Sequence, residues 1–219
     1  MIVCVPSRRR PERLWSFIRS AMTTDAKCKF YIRLDDDDPT LPAYKERMDG
    51  LNIGPRVSVA EAMQECLRFH PDEECYALIG DDTVLRTRHW DQILSKAAGR
   101  WGIAYPDDGL KGESQATHPF IGGDFLRAIG FWALPGLTHL YTDTVWDFLG
   151  RKYDNLVYRP EVLIEHMHWS AGKCARDASY EKPSAAKDEA CFSQWSGSYQ
   201  IDPILSAKIA ASAEAIPAS

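Results

Sequence analysis

Short apolar runs alternate with helical stripes along the first hundred residues. Ile2 to Pro6 is apolar and β-branched and predicts a buried strand. Pro11 suits a first helical turn, and Leu14, Phe17, Ile18 and Ala21 recur at the spacing of one helix face. Lys29 to Leu34 predicts a second strand, stopped by Asp35-Asp36-Asp37-Asp38-Pro39. A helix is expected from near Ser58, with Val59, Ala62, Met63, Cys66 and Leu67 as its stripe and Pro71 as its stop. Cys75 to Ile79 predicts a third strand, ending at Gly80-Asp81-Asp82, and Trp90, Ile93, Leu94 and Ala97 mark the helix after it. The order β-α-β-α-β-α predicts a parallel sheet with helices on both faces. Ligands of such sheets bind beyond the carboxyl ends of the strands. All three predicted strand ends here carry charge: Arg8-Arg9-Arg10, the four aspartates, and Asp81-Asp82.

From Trp101 the pattern changes. Gly102 to Tyr105 predicts a further strand, and the polar stretch Asp107 to Pro119 a mobile loop. Gly122 to Gly130 and Leu140 to Arg151 read as short helices. Leu156 to Glu165 supplies one or two strands broken by Pro160, and runs into His166-Met167-His168-Trp169. Beyond Gly172 the chain is rich in Ala, Ser, Lys and acids, and Asp202-Pro203 opens a last helix. The expected organisation is one α/β domain over 1–170, with a helical extension over 171–219.

Composition narrows the class. Hydrophobic residues make up 45% and charged residues 26% of the 219, which excludes wholesale disorder and coiled coil. The longest uncharged stretch, Ala128 to Thr142, is too short to span a bilayer, so no membrane partner is expected. The N-terminal residues lack the pattern of a signal peptide. The six cysteines form no CxxC pair, which fits free thiols in a reducing cytoplasm. The net charge of -5 argues mildly against a dedicated nucleic-acid binder.

Five clusters could carry chemistry. Asp81-Asp82 leaves an apolar strand, as either a turn and helix cap or the oxygen ligands of a hard divalent cation. His166 and His168 stand at i and i+2, so on a strand both imidazoles share a face; an aromatic strand end packing with Trp169 is the alternative. Asp35 to Asp38 could accept from ribose hydroxyls or a base N–H, with at least two of the four as turn residues or caps. Arg8, Arg9, Arg10 and Arg13 could hold a diphosphate, or form a solvated basic face. Asp143, at a helix start after His139, could act as a general base or serve as a first-turn helix acid.

In order along the chain, Pro6-Ser7-Arg8, an acidic strand end, Gly80-Asp81-Asp82, Gly122-Gly123-Asp124, Asp143 and a late histidine resemble the GT-A glycosyltransferases. The likeness is to compact, inverting, family-two-like phage and bacterial members, and covers roughly residues 1–169. It implies a Rossmann-like, mainly parallel sheet flanked by helices, with 1–100 as the nucleotide-binding half and 101–170 as the acceptor half. Pro6, Ser7, Arg8 and Arg10 would line the nucleotide pocket, and Asp35 or Asp36 would contact uracil or ribose. Gly80 occupies the first position of the DxD metal motif, which suggests Asp82 as metal ligand and Asp81 as ribose or sugar contact. His166 or His168 would join the metal, manganese or magnesium. Gly123 and Asp124 would face the donor sugar, and Asp143 would be the catalytic base.

The resemblance thus implies transfer of a hexose from a UDP-sugar such as UDP-glucose to an acceptor hydroxyl. Small phage enzymes of this type include some that glucosylate 5-hydroxymethylcytosine in DNA, the acceptor favoured here over a saccharide. Sixteen arginines against ten lysines suit phosphate contacts, and Lys152, Lys173, Arg176 and Lys182 add positive charge late in the chain. For a saccharide, Trp132, Trp146 and Trp169 offer stacking platforms. Rival readings are a nucleotidyltransferase, disfavoured because Pro6 to Pro11 lacks glycine, and a sugar-nucleotide or metal-binding module without transfer.

Overall fold

The computed structural model describes residues 1–174 and 184–214. Strand β1 (Ile2–Ser7) leads into helix α1 (Pro11–Thr23), with Pro11 in the first turn. Strand β2 (Lys29–Asp35) is followed by a short helix α2 (Leu41–Lys45), strand β3 (Asn52–Gly54) and helix α3 (Val59–Phe69). Ser58 and Glu61 close a reciprocal capping box at the start of α3, which fixes where that helix begins. Strand β4 (Cys75–Leu78) and the short strand β5 (Thr83–Leu85) flank the two aspartates, and helix α4 (Trp90–Ala98) follows. The second half runs β6 (Ile103–Asp107), β7 (Phe120–Gly122), α5 (Gly123–Ile129), α6 (Thr142–Lys152), β8 (Leu156–His166), α7 (Ala185–Ser198) and α8 (Pro203–Glu214).

The eight strands form one mixed sheet in the order β3-β2-β1-β4-β7-β6-β8-β5. The block β3-β2-β1-β4 is parallel, as the alternating pattern predicts. β7 runs antiparallel to both β4 and β6, and β5 runs antiparallel to β8. Each face of the sheet carries its own core. On β1, Ile2 and Cys4 face α3 and the aromatic cluster of Tyr76, Phe125, Trp132 and Trp146. Val3 and Val5 face the other way, against Leu14, Phe17, Trp90 and Leu94.

Three local expectations need correction. β8 is one continuous strand through Pro160, because its register against β6 shifts after Pro106 and accommodates the proline. The stretch after β6 is pinned: the buried Asp108 carboxylate accepts from the backbone N–H groups of Leu110, Lys111 and Gly112 and from the Thr117 hydroxyl. His168 lies beyond the end of β8, so strand alternation does not set its direction relative to His166. The helices α7 and α8 cover the aromatic side of α6. Phe148 meets Phe192, Trp195 and Tyr199 edge-on, and Leu205 and Ile209 are buried in the same core. All six cysteines are free. Among the described residues no helix is long and apolar enough to cross a membrane.

Candidate active site

A cleft of about 620 Å³ opens beyond the carboxyl ends of β1, β2 and β4. It collects Pro6, Ser7, Arg8 and Arg10 after β1, Asp35 at the end of β2, and Asp81 and Asp82 after β4. The same cleft reaches Asp143 at the start of α6, and His166 and His168 at the end of β8. Ten of the residues singled out from the sequence therefore share one cavity.

The inner end is a tight polar lattice. Ser7 Oγ donates to Asp81 Oδ2 at 2.6 Å and lies 2.9 Å from the Tyr44 hydroxyl, which also accepts from the Arg10 amide. Arg10 Nη1 sits 3.1 Å from Asp81 Oδ1 and 3.7 Å from Asp82 Oδ2, so one guanidinium spans both carboxylates. Burial pushes Asp81 up to about 6 in spite of Arg10 and the Ser7 hydroxyl. Asp35 is held from three sides: Arg8 Nη1 at 2.8 Å, Arg33 Nη1 at 3.6 Å and the Val57 amide at 3.3 Å.

The aspartate run divides its labour. Asp37 forms an ion pair with Arg8 at the surface. Asp38 accepts from the Arg9 and Thr40 amides; burial alone would raise it, but those donors hold it below the ordinary range. Asp36 is exposed and outside the cleft, so of the two nucleotide-contact candidates only Asp35 is placed to reach a ligand.

Gly123 and Asp124 also lie elsewhere. Because β7 runs antiparallel to β4, Gly122 pairs with Cys75 at the opening of β4, on the edge of the sheet remote from the cleft. Asp124 there forms ion pairs with Arg100 and Arg127, and a Cβ on Gly123 would collide with the Glu73 carbonyl at 2.1 Å. These residues fasten the start of α5 to the segments ahead of β4 and β6. The same reversal brings His118, at the other end of β7, into the cleft beside His166, with ring centroids 5.4 Å apart. Sequence reasoning missed His118 because a three-residue strand leaves no periodic signal. It also missed Arg33 and Tyr44, whose roles depend on pairing across the sheet.

The outer end is built by the loop before α6. Asp188 of α7 is fully buried and accepts from the amides of Thr138, His139 and Leu140 and from the Thr138 hydroxyl. Asp143 follows this anchored loop. It is half-buried in the wall of the cleft, where desolvation raises its pKa, and Gln115 Nε2 donates to it at 3.3 Å. Trp132 and Trp146 underlie the cleft but expose no surface, so neither is an open stacking platform; Trp169 is exposed. Arg176 and Lys182 lie outside the described residues.

A divalent ion suits the donors at the junction of the two ends. His166 Nε2 is 3.5 Å from Asp82 Oδ1, and the Met167 amide donates to the Asp82 carbonyl at 2.7 Å. A carboxylate with imidazole nitrogens fits a borderline metal such as manganese. The buried Nε2 of His118 has no hydrogen-bond partner, an orphaned donor atom of the kind such an ion would satisfy. Among the described residues no three His, Cys, Asp or Glu side chains already meet at one point. An ion would recruit them by rotation and take its remaining ligands from a bound anion.

The overall fold recurs in solved proteins. The mannosyltransferase PcManGT from Pyrobaculum calidifontis, solved in complex with GDP-Man and Mn2+, is 13% identical, with TM-score 0.53 over 98% of this chain and 79% of its own. This chain has the GT-A fold. GalNAc-T7, solved with UDP, GalNAc and Mn2+, is 11% identical with TM-score 0.55, over 75% of this chain but only 43% of its own. A nucleotidyl transferase from Methanothermobacter thermautotroptrophicus is 10% identical with TM-score 0.51, over 73% of this chain and 88% of its own. No family model matches the sequence, and neither does any curated protein sequence.

Proposed function

We propose that this GT-A chain is a metal-dependent glycosyltransferase that moves a hexose from a nucleoside diphosphate sugar, such as a UDP-sugar, to an acceptor hydroxyl. The observation that carries this reading is the single cleft with Asp35, Asp81, Asp82 and His166 at one end and Asp143 at the other. Asp35, oriented by Arg8 and Arg33, would receive the base or ribose. Arg10 sits where it could add positive charge beside the diphosphate. Asp82 and His166 would hold the manganese or magnesium ion, which supplies Lewis-acid stabilisation of the leaving nucleoside diphosphate. Asp143, across the cleft with a raised pKa, would take the proton of the acceptor hydroxyl as general base. One displacement with the base on the acceptor side gives inversion at the anomeric carbon.

For the acceptor, a saccharide or another neutral hydroxyl compound is one reading. It is supported by the local acid partners of Arg86, Arg151, Arg159 and Lys173, the first and last of which share Glu165. 5-Hydroxymethylcytosine in DNA is the second reading, supported by the excess of arginines over lysines, which suits phosphate contacts. Nucleotidyl transfer is the rival chemistry on this fold, and the absence of glycine between Pro6 and Pro11 weighs against it.

The deciding experiment is calorimetric titration of UDP and GDP with and without manganese, followed by mass spectrometry of products from a donor and acceptor screen. Manganese-dependent nucleotide binding and a hexose mass increment on an acceptor are expected. Binding without metal dependence, or pyrophosphate as the product with a nucleoside triphosphate, would overturn the reading.

A further inference from the structure

The geometry points to His118 as an additional donor to the metal, through its Nε2; this rests on the metal-dependent reading of the cleft. His118 lines the cleft next to His166. Its Nε2 is buried without any hydrogen-bond partner. A histidine imidazole is the commonest side-chain ligand of borderline metals, and this one stands beside the ring of His166.

Leaving a buried polar nitrogen unpaired is costly, and the fold sustains a second cost at the same position. His118 adopts a left-handed backbone conformation, with φ of 53°, immediately before Pro119. A non-glycine residue held in this region is strained, and such strain gathers at ligand-binding positions.

The test is manganese binding to the full chain without nucleotide, read by electron paramagnetic resonance, for wild type, His118→Ala, His118→Gln, Asp82→Ala and His166→Ala. Cobalt absorption spectra of the same proteins report the donor set. Thermal melts without metal identify any variant that fails to fold, and His118→Gln keeps volume and polarity if His118→Ala does not survive. We expect both His118 variants to weaken manganese about 10- to 100-fold and to alter the cobalt spectrum. Unchanged affinity and spectrum in a folded His118 variant, with loss in Asp82→Ala, would overturn the inference and leave the metal reading standing. Unchanged affinity in Asp82→Ala and His166→Ala as well would overturn the metal reading itself. A His118 variant that raises only the KM of the donor sugar, with metal affinity intact, would also overturn the inference.

Discussion

His166 Nε2 lies 3.5 Å from Asp82 Oδ1, and the strand register sets that distance. β5 begins directly after Asp82 and pairs antiparallel with the end of β8, so that Thr83 stands opposite His166. The turn after β4 and the last strand are thus joined beside Asp82 and His166. Replacing Asp82 or His166 by Ala should lower manganese affinity on the order of 100-fold. Calorimetry of UDP in the presence of manganese should then show weaker binding by both variants, while β5 and β8 stay paired and the melting curves stay cooperative. Binding equal to wild type would remove both residues from the metal end.

Gly80 explains why the motif is not a full DxD. A Cβ at this position would come within 2.6 Å of Asp82 Oδ1, so the carboxylate folds back over bare backbone. Gly80→Ala should displace the Asp82 side chain without disturbing the core, since nothing else crowds the site. Manganese affinity should fall about tenfold, with a smaller drop in the thermal midpoint than a core substitution gives, because only the Asp82 side chain has to shift. A titration of manganese on folded Gly80→Ala, compared with Asp82→Ala, checks the ordering of the two effects.

Which parts were readable from the sequence follows from strand length and direction. β1, β2 and β4 are apolar runs whose ends carry charge, and Ser7, Asp35 and Asp81 fall at those ends. The stripe of α3 and the Ser58 to Glu61 capping box are equally local. β3, β5 and β7 have three residues each and leave no period to detect. The direction of β7 then decides the second half of the site. Running antiparallel, it carries His118 into the cleft and takes Gly123 and Asp124 to the opposite edge. A forward order of motifs cannot reveal that reversal. The loop from Asp107 to Pro119 misled for a related reason: its polar residues look solvated, but Asp108 uses them to satisfy backbone N–H groups.

Asp188 should prove the structural keystone of the acceptor end. Its carboxylate answers three consecutive backbone amides, and burial, which alone would raise its pKa, is outweighed by those donors. Asp188→Ala strands the amides of Thr138, His139 and Leu140 in a dry site. A loss of about 3 kcal/mol is expected, lowering the melting temperature by about 6–12 °C. Asp188→Asn retains acceptor capacity and should recover much of it. Hydrogen exchange of these amides should rise in the Ala variant before global unfolding does.

Salt dependence separates the two acceptor classes. A duplex tracked by several free arginines or lysines loses affinity steeply, with log K falling by about 0.9 per log salt for each phosphate neutralised. Arg86 and Lys173 share Glu165, and Arg151 and Arg159 pair with Asp147 and Glu161, so these four contribute less to counterion release than free cations would. Binding of hydroxymethylated DNA, measured by fluorescence anisotropy between low and physiological salt, should be weak and shallow in slope. A steep slope with tight binding would restore DNA as the acceptor.

Asp143 makes the most direct prediction about chemistry. A general base works as the carboxylate, so its rate falls as acid protonates it. Burial in the cleft wall raises the Asp143 pKa, so the fall should begin at a higher pH than for an exposed aspartate. The kcat/KM for transfer should therefore show an acidic limb with its midpoint higher than an exposed aspartate would give. Asp143→Asn keeps the size of the side chain but cannot accept the proton. It should lower kcat by about 10²- to 10⁴-fold with little change in manganese or nucleotide affinity, and the acidic limb should vanish from what activity remains. A limb that persists in Asp143→Asn would assign the proton to another group. With His139 anchored by Asp188 in the preceding loop and facing the same cleft, His139→Ala would be the next variant to titrate.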